Sequence, residues 1–209
     1  MRMIETKVLA VRYLANASPT LCKQLGIPKE YPSLGLITTD SDDPTYIALD
    51  EATKAADVQV SFGRSFYAGA ANATTPNAGE VLGILAGATP GAVRSGMEAA
   101  LGALQRVGFE EVNQVPYLAH TVSSAGSFLA AEAGVRTGSA LAYLIAPPLE
   151  GMYALDAALK AADVRLCKLY RPPSETNFGG GLLAGTQSAC EAACAAFAEA
   201  VKEVDRFFR

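Results

Sequence analysis

The residues of this chain that could do chemistry are mainly acidic and polar side chains in predicted loops. Residues 40–44 read Asp-Ser-Asp-Asp-Pro, residues 172–177 read Pro-Pro-Ser-Glu-Thr-Asn, and Glu80 follows a loop of glycine, proline and small residues. Carboxylates gathered near an interface would attract a small cation. Taken alone, however, Asp-Asp-Pro is typical of a turn closed by side-chain hydrogen bonds, and 172–177 is typical of a solvated loop.

The other reactive side chains favour structural roles. The only histidine, His120, lies in an alternating stretch typical of a strand, where a lone histidine is usually structural. Cys190 and Cys194 lie one helical turn apart among alanines, which favours small core residues over metal ligands. The three glycines at 179–181 precede a strand and not a helix, so they do not predict a phosphate loop. The sequence contains no cysteine–histidine spacing typical of zinc and no recognisable nucleophile motif.

An internal repeat indicates how these residues are positioned. Residues 48–58 read ALDEATKAADV and residues 154–164 read ALDAALKAADV, so nine of eleven residues agree at an offset of 106. A repeat at half the chain length indicates two copies of one supersecondary unit. We therefore predict two domains, residues 1–110 and residues 111–209. Two similar domains suit assembly and interfaces as readily as a single catalytic cleft.

Each copy shows the same predicted order of elements. A buried strand, a helix, a half-buried strand, a loop rich in glycine and proline, and a second apolar strand follow one another. The ranges are 33–37, 50–57, 58–60, 66–78 and 81–85 in the first copy, and 139–146, 156–163, 164–166, 171–181 and 182–184 in the second. From residue 58 to residue 87 is 29 steps and from 164 to 185 is 21, so the first copy has about eight extra loop residues. Insertions in repeats fall in surface loops.

Three further helices are predicted from their ends. Thr89 precedes Pro90 as an N-cap before a first-turn proline, and that helix should run to about residue 107. Ser188 and Glu191 have capping-box spacing and begin a helix with an apolar stripe. A shorter helix is predicted over 19–25.

Composition excludes several classes of protein. The chain has 209 residues and a formal net charge of −4, which argues against a nucleic-acid partner. No apolar run reaches membrane-spanning length, and residues 1–5 contain no apolar signal-peptide core. The four cysteines, at positions 22, 167, 190 and 194, lack the spacing of a disulfide framework. We expect a soluble cytoplasmic protein with reduced and mostly buried cysteines.

Long blocks of the sequence resemble a known family. They are SLGLI at 33–37, DSDD at 40–43, TYIA at 45–48, DEATK at 50–54, GRS at 63–65, YAGAA at 67–71, AGEVL at 78–82, AYLIAPPLE at 142–150 and PPSETN at 172–177. With these blocks the chain resembles the EutL family of tandem-domain shell proteins from ethanolamine-utilisation bacterial microcompartments. The resemblance covers roughly residues 8–205. It departs from the family pattern at 108–116, which is shorter here, and at the chain ends.

The resemblance implies an α+β fold and a structural role. The fold would be two tandem, circularly permuted bacterial microcompartment domains, each a small antiparallel sheet flanked by helices. Three chains would form a flat pseudohexagonal tile in a microcompartment shell, beside other shell proteins. The tile would contain a gated central pore for metabolites or cofactors and small pores that bind ethanolamine. In this reading the protein is not an enzyme and has no cofactor of its own.

The resemblance also implies a set of ligand residues. Carried over by motif, the ethanolamine site would contain Asp42, Asp43, Glu80, Phe109, Glu175, Thr176 and Asn177. Phe109 comes from the divergent segment. An ammonium alcohol needs carboxylate partners and a group that binds its hydroxyl, and the set supplies both. Some family members are connected with cobalamin, and pore opening with zinc, but the sequence singles out no residue for either.

Two other functions fit the same residues. A soluble amine sensor or regulatory binding protein would use the same repeat and ligand loops without assembling into sheets. An enzyme would use a carboxylate at the domain interface as an acid or base. The sequence leaves open the state of the pore, what crosses it, and which face of the shell points to the cytosol.

Overall fold

The computed structural model describes residues 2–66, 80–172 and 178–206. Its contacts divide the chain into two compact units. The amino-terminal unit contains Glu5–Val107 and Gly126–Phe128. The carboxy-terminal unit contains Met1–Ile4, Gly108–Ala125 and Leu129–Arg209. The predicted division between residues 110 and 111 therefore differs from these units in three short segments.

The amino-terminal unit is a four-stranded antiparallel sheet with helices. Its sheet has the order β2-β3-β5-β4. The elements are β2 Val8–Leu14, α1 Pro19–Gln24, β3 Ser33–Thr39, α2 Asp42–Ala55, β4 Val58–Phe66, β5 Glu80–Gly87 and α3 Pro90–Leu104. Buried side chains of α2 and α3, including Leu49 and Met97, pack with Ile37 and Leu85 of the two central strands.

The carboxy-terminal unit has a six-stranded antiparallel sheet with the order β1-β6-β7-β8-β10-β9. Its elements are β1 Arg2–Ile4, β6 Phe109–Val112, β7 Val115–Val122, α4 Ser127–Ala133, β8 Ala140–Ala146, α5 Pro148–Ala161, β9 Val164–Tyr170, β10 Gly179–Gly185 and α6 Gln187–Arg206. The first two residues of α4 group with the amino-terminal unit. Strand β1 groups here because Arg2 pairs with Glu111 and Ile4 with Phe109.

The predicted strands are confirmed, and burial explains why the sequence indicated them. Every residue of β8 is buried, and in β3 only two of seven are not. A strand covered on both faces is apolar without alternation, which is the pattern of both segments. The predicted apolar stripe of α6 is also confirmed, with Ala193, Phe197 and Val201 buried against the sheet. No helix in the described ranges is long and apolar enough to cross a membrane.

The paired repeat helices begin earlier than predicted. Helix α2 begins at Asp42 and α5 at Pro148, eight residues before the predicted starts in each copy. The interpretation of residues 42–44 as a turn was therefore wrong, because Asp42 and Asp43 form the first turn of α2. Acidic side chains are favourable there, since the helix amino terminus carries partial positive charge.

Two other helix ends test the capping predictions. The Oγ1 of Thr89 accepts a hydrogen bond from the Ala92 amide at 3.1 Å, so that N-cap is confirmed, although the helix ends at Leu104. The capping box of Ser188 and Glu191 was wrong. The Ala189 amide donates to Thr186 Oγ1 at 3.2 Å instead, and Glu191 accepts from the Gln187 side chain.

Strand β10 begins inside the segment that was predicted to be a loop. Its first three residues are the buried glycines Gly179, Gly180 and Gly181. At Gly180, whose φ is +149°, an added Cβ would lie 1.9 Å from the carbonyl oxygen of Leu144 in β8. Glycine permits this approach of two backbones, so the three glycines serve strand pairing.

Candidate functional site

The start of α2 is fixed by two threonine hydroxyls. Thr39, at the end of β3, donates to the Ser41 carbonyl oxygen at 2.9 Å, and Thr45, in the first turns of α2, donates to it at 2.7 Å. The two hydroxyl oxygens also lie 2.7 Å apart. All three residues are buried. This network joins the strand to the helix and therefore sets the position of the two aspartates that follow Ser41.

Asp42 and Asp43 place two carboxylates in this first turn. Their exposed fractions are 4% and 7%. The Asp43 amide donates to Asp42 Oδ1 at 2.9 Å, which satisfies one of the amides that a helix start leaves without a helical partner. The helix therefore stabilises the Asp42 carboxylate through this hydrogen bond, and it stabilises both carboxylates through the partial positive charge at its amino terminus.

Glu80 lies at the same end of the amino-terminal sheet. It is the first residue of β5 and is half-buried. In the register of β3 and β5, Thr39 pairs with Val81, so Glu80 is placed where β3 leads into α2. The structure thus brings Asp42, Asp43 and Glu80 to one end of one sheet.

The remaining predicted ligand residues belong to the carboxy-terminal unit. Phe109 is buried at the start of β6, and its ring meets the ring of Phe178 edge-on, with centroids 5.8 Å apart. Glu175, Thr176 and Asn177 lie outside the described residues. Phe178 follows Asn177 directly, so Phe109 contacts the residue immediately after the predicted ligand segment. Sequence reasoning missed Phe178, although an aromatic residue directly after a polar stretch of sequence is a recognisable anchor.

The two cysteines of α6 are core residues, and the histidine lies in a strand. Cys190 and Cys194 are buried and unpaired in α6, and Thr121 donates to Cys194 Sγ at 3.4 Å. Burial raises the pKa of the Cys194 thiol to about 11 and also raises that of Cys190. His120 is half-buried in β7. Within the described part of the chain, no three His, Cys, Asp or Glu side chains are grouped as metal ligands.

Comparison with known proteins identifies this architecture. The BMC domain model matches residues 33–115. The shell protein EutL of Clostridium perfringens is 58% identical over 206 residues, covering 97% of this chain and 95% of the relative. EutL of Escherichia coli is 48% identical over 208 residues, covering 98% and 95%. The crystal structure of the ethanolamine utilization protein EutL from Leptotrichia buccalis superposes with a TM-score of 0.92 at 56% identity, covering 99% of this chain and 97% of that one.

These matches define a structural component of a bacterial microcompartment shell, built on the BMC fold. The chain belongs to the EutL family of microcompartment shell proteins. The predicted resemblance, fold class and shell role are therefore confirmed. The family is a structural one and not a catalytic one.

Proposed function

We propose that three copies of this chain form one flat pseudohexagonal tile of the shell. The observation that carries the proposal is the internal duplication. Helices α2 and α5 have the same length, begin at equivalent positions of the repeat, and each packs on an antiparallel sheet. A chain with two equivalent units forms a six-sided ring from three copies, and closed rotational symmetry is the usual solution for such assemblies. The tile is non-enzymatic and lies beside other shell proteins, without nucleic-acid or membrane partners.

The mass of the assembly tests this proposal. Light scattering at micromolar concentration should give three times the chain mass of 21.7 kDa. Electron microscopy of concentrated protein should then show two-dimensional arrays. Trimers without arrays would favour the alternative, an amine sensor or regulatory binding protein. A monomer at micromolar concentration would contradict the tile.

We also propose that the tile has a central pore gated by residues 66–78 and 171–181. These segments occupy equivalent places in the two copies, and their glycines, prolines and small residues allow two arrangements without disturbing a core. Hydrogen exchange should show less protection in them than in β3 or β8, apart from Phe66 within β4 and Gly179–Gly181 within β10. Protection equal to that of the strands would exclude gating by these segments. We propose that metabolites, or a cofactor such as cobalamin, pass through this pore.

A small pore of each subunit is the proposed ethanolamine site. Asp42, Asp43, Glu80 and Glu175 would bind the ammonium group, Thr176 and Asn177 the hydroxyl, and Phe109 would support the loop. Support for this comes from the shared end of the sheet that holds the first three carboxylates. Charge-assisted hydrogen bonds are worth roughly 1.5–3 kcal/mol each before the entropy of binding is subtracted. So small a ligand should bind with a Kd of about micromolar to millimolar.

Replacing one carboxylate tests the site. Asp42→Asn keeps an oxygen that can accept the Asp43 amide, so the helix start and the trimer should survive. Ethanolamine affinity, measured by titration calorimetry, should fall about tenfold or more because the charge is lost. Asp40→Asn is the matched control, since Asp40 accepts the Lys7 amide at 2.7 Å and is outside the proposed set. Equal affinity in wild type and Asp42→Asn would mean that the aspartates only stabilise the helix.

A further inference from the structure

The two repeat helices are equivalent in sequence but not in exposure. In α2, one face is covered within the chain, and in α5 the same face is open. The covered residues Asp43, Ile47 and Asp50 have exposed fractions of 7%, 1% and 0%. Their counterparts in the second copy are Leu149 at 62%, Tyr153 at 51% and Asp156, whose side chain is 63% exposed. Two large apolar side chains on an open helix face indicate an interface.

The segment that covers α2 is the start of α4. The Gly126 amide donates to Asp50 Oδ2 at 2.7 Å, and the Ser127 amide donates to Thr53 Oγ1 at 3.0 Å. The Phe128 ring lies 6.1 Å from the Tyr46 ring, measured between centroids. The approach is close, because a Cβ on Gly126 would lie 2.3 Å from Thr53 Oγ1.

The first copy has its own counterpart of this segment, at the start of α1. Both helices end on a glycine in the left-handed region, Gly26 with φ +67° and Gly134 with φ +61°. Their backbone hydrogen bonds also correspond. Ile27 N to Cys22 O matches Val135 N to Ala130 O at an offset of 108, and Ala17 N to Pro32 O matches Ala125 N to Ser139 O with the acceptor one residue earlier in the second copy. Residues 18, 19 and 20 therefore correspond to residues 126, 127 and 128. All three are exposed, as is Leu21 after them.

We infer that residues 18–21 of a second copy of this chain cover the open face of α5. Asp156 then accepts the amide of Ser18, as Asp50 accepts that of Gly126. Leu159 packs on Pro19, and Met152 packs on Thr20. This inference rests on the proposed trimer and specifies which two surfaces join its subunits. The contact is head-to-tail, because different surfaces of each copy take part. Such a contact forms a ring when the rotation between copies closes, as it does in the proposed trimer.

The substitutions between the two copies support this pairing. Where the internal contact uses the hydroxyl of Thr53 and the amide of Ser127, the external one has Leu159 and Pro19. Leu159 lacks the hydroxyl acceptor of Thr53, and Pro19 lacks the amide donor of Ser127. The contact with the second copy therefore leaves no polar group without a partner. The carboxylate is retained in both copies, together with a lysine four residues later. Lys54 lies 3.8 Å from Asp50, and Lys160 lies 2.5 Å from Asp156.

Cross-linking tests the contact directly. The double variant Thr20→Cys/Met152→Cys, in a Cys167→Ser background, is treated with a short bifunctional thiol reagent. Covalent dimers and trimers are expected on a denaturing gel. The control Thr20→Cys/Ala161→Cys should yield few, since Ala55, the counterpart of Ala161, stays exposed in the covered copy. If light scattering shows a trimer that the first pair does not cross-link, this inference is overturned and the tile survives. A monomer would overturn both.

A second variant tests the energetic importance of the face. Leu159→Arg places a charge against Pro19 of the neighbour and should raise the dissociation constant of the trimer at least tenfold, measured by sedimentation. Ala161→Arg, one half-turn away on α5, should leave it unchanged. Leu159 is half-buried and packs on the core of its own unit, whereas Ala161 is exposed. Circular dichroism must therefore first show that Leu159→Arg keeps the native fold. A trimer of undiminished stability in Leu159→Arg would contradict the inference.

Discussion

Asp50 is a fully buried carboxylate whose partners come from its own helix and from residues far along the chain. It accepts the Gly126 amide and lies within ion-pair distance of Lys54. Asp50→Ala should lower the free energy of unfolding by about 3 kcal/mol, because a buried amide and a lysine lose their partner together. The matched control is Asp156→Ala, measured by urea denaturation at concentrations where the chain is monomeric. Its exposed ion pair with Lys160 should contribute less than about 1 kcal/mol.

Cys194 makes stability depend on pH at the alkaline end. Burial raises its pKa from 9.0 to about 11, while the hydrogen bond from Thr121 opposes the shift. Below pH 9 the thiol is protonated in both states and its contribution is complete. Between pH 9 and 11 the unfolded chain loses the proton first, so the free energy of unfolding falls, by about 3 kcal/mol for two pKa units. Cys194→Ala should decline less over this range in urea denaturation. If the free energy of unfolding fell equally with pH in wild type and Cys194→Ala, the thiol would not contribute to the pH dependence of stability.

Among the secondary-structure elements, β10 depends most directly on one residue type. Gly180→Ala should lower the free energy of unfolding by several kcal/mol, in the range of about 3–5 kcal/mol, because the new methyl group would meet the Leu144 carbonyl and force β8 and β10 apart. Gly102→Ala in α3 is the control. Its Cβ would meet only Arg106 Nη1 at 3.8 Å, and alanine is the better helix former, so it should be neutral or slightly stabilising. Thermal denaturation of both variants measures the contrast, and a Tm for Gly180→Ala equal to that of wild type would contradict it.

Elements with a strong local pattern could be predicted from sequence. Strands β3 and β8 were indicated by apolar runs, and α3 by the N-cap and proline at its start. The start of α2 was missed because Asp-Asp-Pro is equally compatible with a turn and with a first helical turn, and only the Thr39 and Thr45 hydroxyls distinguish them. Strands β1 and β6 have three and four residues, too few for a period. The pairing of β1 depends on β6, whereas β6 also pairs with β7.

The candidate site was accessible to sequence reasoning only through the resemblance. Composition and spacing favoured a turn at Asp42 and Asp43 and a solvated loop at 172–177, and placed Glu80 only after a loop. Their shared position follows from strand register and helix start, which no local pattern encodes. Phe178 was missed because its partner, Phe109, lies far earlier in the chain, at the start of β6.

At the scale of the whole molecule, each compact unit includes a segment from elsewhere in the sequence. A chain that lacks residues 1–4 should lose the pairing of β1 with β6, so amides of Phe109–Val112 should exchange at least tenfold faster. Exchange in β3, which belongs to the other sheet, should stay unchanged. Hydrogen exchange with mass spectrometry measures both in one experiment. Unaltered protection of β6 would show that β1 adds nothing to the sheet.

The pairing of β1 with β6 also sets an order of events during translation. Arg2 is translated well before its partner Glu111, which is made only after the whole amino-terminal sheet and α3. Because domains fold largely during synthesis, the amino-terminal unit can fold while β1 is still unpaired. During that time β1 is an exposed strand on the nascent chain. A strand of three residues that begins with arginine is a poor template for aggregation. The short length and positive charge of β1 therefore limit aggregation of the nascent chain until the second half of the protein has been synthesised.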